Sequence, residues 1–171
     1  HFPEDTMEAE EKERVTIPPE MIGGPARYMM MQILGSAHPA KAVEQACQRA
    51  AEKGFMALAV TPRRVRLCAR CLHGTQVSLH GVVGHPDGQM KLGEKIHQAE
   101  LCAEYGADEI DLFIKGRSTR DGHFETVIIE ISAVVAAVAA VDRYIKVNAV
   151  IQGVQRQRMQ LVCELAIEAG A

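Results

Sequence analysis

Gly106-Ala107-Asp108-Glu109-Ile110-Asp111-Leu112-Phe113 closes one element and opens another within eight residues. The glycine suits the left-handed cap that ends a helix. The apolar run after it has strand length and carries one carboxylate, Asp111, between Ile110 and Leu112. A second run, Tyr144-Ile145-Lys146-Val147, sets one lysine between two apolar residues. A charge inside a buried strand is costly unless it is paired or used, because desolvation disfavours the ionised form. Two readings follow. In one, Lys146 and Asp111 form a structural ion pair, or the lysine reaches water from a strand end. In the other, Lys146 gives up its proton and the neutral amine attacks a carbonyl to form a Schiff base, while the carboxylate moves protons.

Outward from these runs the chain alternates between two periods. Residues 39–53, 62–73, 89–105, 123–141 and 154–169 read as helices, and glycines at 54, 74, 106 and 170 follow four of them. Residues 55–60, 76–83, 109–114 and 144–151 read as short apolar strands, with a further apolar run over 28–34. Gly84 to Gly88 is a turn, and 116–122 a polar loop. Strands alternating with helices of ten or more residues predict an α/β fold with a parallel sheet. Nearly all-apolar strands predict that both sheet faces are covered. Right-handed crossovers allow a (β/α) barrel or an open doubly wound sheet. The glycine fingerprints of dinucleotide and P-loop sites are missing. In a barrel, charges at the C-terminal ends of adjacent strands share one mouth, where Asp111 and Lys146 would meet.

The 171 residues predict a single domain. Residues 1–27 are expected to form an acidic, mobile tail: six carboxylates fall between Glu4 and Glu13, and Pro18-Pro19 and Gly23-Gly24-Pro25 break any helix. Residues 28–171 form the domain. A net charge of −3 and the lack of tryptophan give no reason to expect nucleic acid or an anionic membrane as partner. No uncharged apolar run of about 18 residues is present, since Glu130 interrupts the longest, and no secretory signal is visible. Five cysteines, an odd number lying mostly in helical segments, fit reduced thiols and a cytoplasmic location. Cys68-Ala69-Arg70-Cys71 is a lone CxxC without a second half, and no two histidines have metal-ligand spacing, so no metal site is expected. His80 is expected to be a half-buried, hydrogen-bonded strand residue and His85 a solvent-facing turn residue. Lys115 and Arg117 follow the Asp111 strand and could meet a phosphate, although solvated loop charges are the plainer reading.

Four segments, in order and at fitting intervals, resemble the deoxyribose-phosphate aldolase family of Schiff-base aldolases. They are Ala57-Leu58-Ala59-Val60-Thr61-Pro62, Val82-Val83-Gly84-His85-Pro86-Asp87-Gly88, Gly106-Ala107-Asp108-Glu109-Ile110-Asp111 and Ile145-Lys146-Val147. The resemblance runs from about Pro39 to Ala171. It implies a TIM barrel, here cut to about five parallel strands with flanking helices. It implies Lys146 as the amine that forms the imine and Asp111 as the proton shuttle. The implied reaction is reversible cleavage of 2-deoxy-D-ribose 5-phosphate to acetaldehyde and D-glyceraldehyde 3-phosphate, with no metal and no organic cofactor.

Several residues depart from the family pattern. The strand with the family's second lysine would begin where this chain stops, and the phosphate-binding loops would lie beyond it. Met29-Met30-Met31-Gln32-Ile33-Leu34 lacks the family's Asp and Thr, Ala59 replaces a frequent cysteine, and Asn148 and Gln152 are neutral where a hydroxyl or carboxylate is usual. The departures suit a second reading, an inactive relative acting as a subunit or interaction protein. An open sheet edge predicts either a homo-oligomer or a completing chain.

Overall fold

The computed structural model describes residues 30–35, 38–141, 143–149 and 154–171. The acidic stretch 1–27 lies outside them. The described elements follow the expected alternation. They are β1 (Met30–Ile33), α1 (Ala40–Lys53), β2 (Ala57–Val60), α2 (Pro62–Leu72), β3 (Ser78–Val83), α3 (Leu92–Glu104) and β4 (Glu109–Phe113). After these come α4 (Gly116–Asp121), α5 (Phe124–Val138) with a 3₁₀ turn (Ala139–Val141), β5 (Tyr144–Asn148) and α6 (Arg156–Glu168). The five strands form one parallel sheet in the order β1-β2-β3-β4-β5, each paired with its neighbour in sequence. This is the wall of a (β/α) barrel with flanking helices, as expected.

The two-residue period of the strands sorts their side chains onto two faces. Leu58, Val60, Leu79, Val83, Ile110, Leu112 and Ile145 enter the core cluster with the helices. The alternate positions, Ala59, His80, Val82, Glu109, Asp111 and Lys146, lie on the opposite, concave face. Gly81 belongs to the helix side. A Cβ there would lie 2.5 Å from Cys102 Sγ of α3, so only glycine lets that helix close on β3. Burial pushes the Cys102 thiol up to about 12, consistent with an apolar filler rather than a reactive thiol.

The structure differs from the sequence reading in two places, and it bears out the packed helix read over 123–141. Residues 116–121 are a short helix rather than a loop. Its one-and-a-half turns are too short and polar to show periodicity, and an Arg117–Asp121 contact of 3.3 Å spans it at i, i+4. Strand β5 stops at Asn148, and 150–153 lie outside the described residues. The segment Phe124–Val141 is long and apolar enough to cross a membrane by length and composition. Here it packs on the sheet through Val127, Ile131, Val134 and Val138, and its Glu130 is buried against Lys95 of α3.

Candidate active site

Strand register assembles the site. His80 on β3 lies opposite Glu109 on β4. Asp111, two residues along and on the same face, lies opposite Lys146 on β5. Ala59 of β2 lies opposite His80. Four ionisable side chains from three adjacent strands therefore converge on the concave face.

Lys146 Nζ is the centre of the group. It lies 2.6 Å from Asp111 Oδ1, 3.1 Å from Glu109 Oε1 and 3.2 Å from His80 Nδ1. His80 Nδ1 is in turn 3.2 Å from Glu109 Oε1 and 3.5 Å from Asp111 Oδ1. Both carboxylate oxygens face the ammonium as ion-pair partners. The side chains of His80 and Asp111 are each 5% exposed, whereas that of Lys146 is 37% exposed. The amine thus combines fixed neighbours with an open approach. Burial alone would push the Asp111 carboxyl up, but His80 and Lys146 outweigh it and hold the group below the usual carboxylate range.

His80 Nδ1 and the Glu109 and Asp111 oxygens lie within 4.8 Å of one another, a donor set of the kind that can hold a divalent cation. The Lys146 ammonium already sits among them, so in this arrangement their cation is the lysine's own.

The two residues singled out from sequence, Asp111 and Lys146, are brought together. His80 is more deeply buried than expected and belongs to the cluster, as does Glu109. Only strand register could have revealed either, because each looks unremarkable within its own segment. His85 does not join them. It is exposed, with its ring edge-on to Phe113 at 5.2 Å between centroids. The turn carrying it presses closely on the end of β4, where a Cβ on Gly84 (φ +76) would lie 2.8 Å from the Phe113 carbonyl oxygen. Lys115 and Arg117 stand just beyond that strand end, and Arg117 is taken up by Asp121. Asn148 donates from Nδ2 to the Lys146 carbonyl at 3.4 Å, so it supports the strand rather than the amine.

No protein-family model matches the chain. Curated proteins do. A deoxyribose-phosphate aldolase of Aciduliprofundum boonei is 34% identical over 129 residues, covering 75% of this chain and 58% of that protein. A deoxyribose-phosphate aldolase of Thermococcus kodakarensis is 33% identical over 150 residues, covering 85% of this chain and 66% of that protein. Solved structures agree in fold. The tetrameric deoxyribose phosphate aldolase of Aeropyrum pernix superimposes with a TM-score of 0.77 at 23% identity, covering 89% of this chain and 64% of that one. A candidate deoxyribose-phosphate aldolase from Coccidioides immitis gives 0.81 at 24% identity, covering 98% and 68%. The chain spans less than two thirds of the length of the curated relatives it matches.

Proposed function

Because the chain belongs to the deoxyribose-phosphate aldolase family, we propose that it carries Schiff-base aldolase chemistry with Lys146 as the nucleophilic amine and Asp111 as its proton-handling neighbour. The substrate is 2-deoxy-D-ribose 5-phosphate, cleaved reversibly to acetaldehyde and D-glyceraldehyde 3-phosphate. The observation that carries this reading is the partly exposed Lys146 Nζ on the concave face, 2.6 Å from the buried Asp111 carboxylate. An amine so placed can meet a carbonyl carbon while a fixed group beside it exchanges protons, the pairing that covalent catalysis requires. The protonated imine then draws in the electrons of the Cα–Cβ bond as the β-hydroxyl loses its proton and becomes the leaving aldehyde's carbonyl, giving an enamine, so the reading needs neither metal nor organic cofactor. The expected partners are a small phosphorylated sugar or its aldehyde and either further copies of the chain or a completing chain along β5. The expected compartment is the cytoplasm.

A second reading keeps the scaffold and drops the chemistry. It is favoured by the tight enclosure of Lys146 by two carboxylates, which stabilise the unreactive ammonium, and by a β1 that offers Gln32 to the concave face where the family has Asp and Thr. Borohydride trapping separates the two. The chain is incubated with acetaldehyde or with deoxyribose 5-phosphate, reduced, and mapped by mass spectrometry. A stoichiometric adduct on Lys146, lost in Lys146→Ala, is the expected result. Labelling no greater than at exposed lysines would mean a scaffold.

A further inference from the structure

The ammonium of Lys146 must lose a proton before it can attack, and the described residues offer three acceptors within contact distance. The geometry points to His80 as the proton acceptor for Lys146, a catalytic residue beyond the lysine–aspartate pair, and this assignment rests on the Schiff-base reading above. Its Nδ1 lies 3.2 Å from Nζ, within reach for direct transfer.

Basicity decides among the acceptors. An ordinary imidazole titrates about two pH units above an ordinary carboxyl group, so it is roughly a hundredfold stronger base. Asp111 is weaker still, since its two cationic or hydrogen-bonding neighbours hold its carboxyl below the usual range. In this first deprotonation the carboxylates serve as fixed anions, which leaves Asp111 the later proton transfers. Glu109 Oε1 and Asp111 Oδ1, at 3.2 and 3.5 Å from Nδ1, stabilise the imidazolium that transfer creates. The ionisable groups facing His80 are Glu109 and Asp111 from β4 and Lys146 from β5, while β2 presents only Ala57 and Ala59.

The step balances within the cluster. One Nζ–H bond breaks and one Nδ1–H bond forms, leaving the lone pair on Nζ for the carbonyl carbon and the summed charge unchanged. When the carbinolamine expels its hydroxyl group, the imidazolium returns the proton and water leaves. The transfer needs the tautomer with its hydrogen on Nε2, so that the Nδ1 lone pair faces the amine.

The test follows Lys146 by mass spectrometry from pH 5 to 10 in the wild type, His80→Gln and His80→Asn. One arm measures borohydride-trapped acetaldehyde adduct, the other acetylation by acetic anhydride, which needs only a free amine. In the wild type both rates should fall on acidification through an inflection that exposed lysines in the same samples do not show. In the variants that inflection should vanish, the pH 7 rate should drop about a hundredfold, added imidazole should restore part of it, and the rates should converge with the wild type near pH 10. An inflection in acetylation without any trapped adduct would sink the aldolase reading and leave the proton transfer standing. Variants matching the wild-type profile would overturn the role of His80. So would a wild-type profile that matches those exposed lysines, a result that does not depend on how any variant folds.

Discussion

Among the described residues two lysines are paired with carboxylates, and they lie on opposite faces of the same sheet. Lys95, on α3, is fully buried. It contacts Glu130 of α5 and donates to the Phe113 carbonyl oxygen at 2.6 Å. Burial pulls the Lys95 ammonium below the usual lysine range, against the opposing pull of Glu130. Lys146 is met by two carboxylates and a histidine but leaves 37% of its side chain open. Lys95 is thus a perturbed amine, yet its side chain is 0% exposed and no carbonyl compound can reach it. The contrast teaches that a buried, perturbed lysine is not by that fact a reactive one, since access and an adjacent proton acceptor separate a tie between layers from a nucleophile.

The largest break in the comparison should come from exchanging the lysines for methionine. Lys146→Met is expected to abolish the trapped adduct. Lys95→Met should leave the adduct per folded molecule unchanged while lowering the unfolding free energy by about 3–5 kcal/mol, because Glu130 is left buried and unpaired. Chemical denaturation of both variants, with adduct yield measured in the same samples, checks the pair of outcomes. The double variant Lys95→Met with Glu130→Leu sharpens the point: if the buried pair only joins two layers, removing both charges should recover most of that loss.

A smaller effect is expected where α3 meets the sheet. Gly81→Ala forces a Cβ against Cys102 and should cost about 1–3 kcal/mol in unfolding free energy, with the adduct at Lys146 retained. The smallest effect is one of pH. The native Asp111 carboxyl is depressed, so the unfolded chain takes up its proton first as the solution is acidified. The stability that wild type holds over Asp111→Asn should be full above about pH 4 and fade as the pH falls through the depressed native value. Melting curves from pH 6 to 2 would show the two proteins converging. A constant difference would mean that the carboxylate charge contributes nothing.

The alternation of helices and strands was legible because each strand is a short apolar run and most helices end at a glycine. Asp111 and Lys146 were legible for a related reason, each being a single charge in an apolar setting. His80 and Glu109 were not, because a histidine within Ser78–Val83 and a glutamate at a strand start are ordinary until register sets them opposite each other. The Lys95–Glu130 pair was hidden too. Lys95 follows Glu94 in a helix that reads as having a charged surface, and its partner lies 35 residues away. Helix α4 left no periodic trace at all. Local pattern therefore carried the elements, while charge pairs between distant segments were invisible to it.

The neighbour-by-neighbour strand order has a consequence for how the molecule assembles. Each strand docks on the one made just before it, so the sheet can grow in the order of synthesis, with each closure spanning only the helix or helices between neighbouring strands. Until β5 arrives, β4 presents Glu109 and Asp111 side by side with only His80 for company. The arrival of Lys146 relieves that repulsion, so the strand that completes the reactive group is also the one drawn into place by charge.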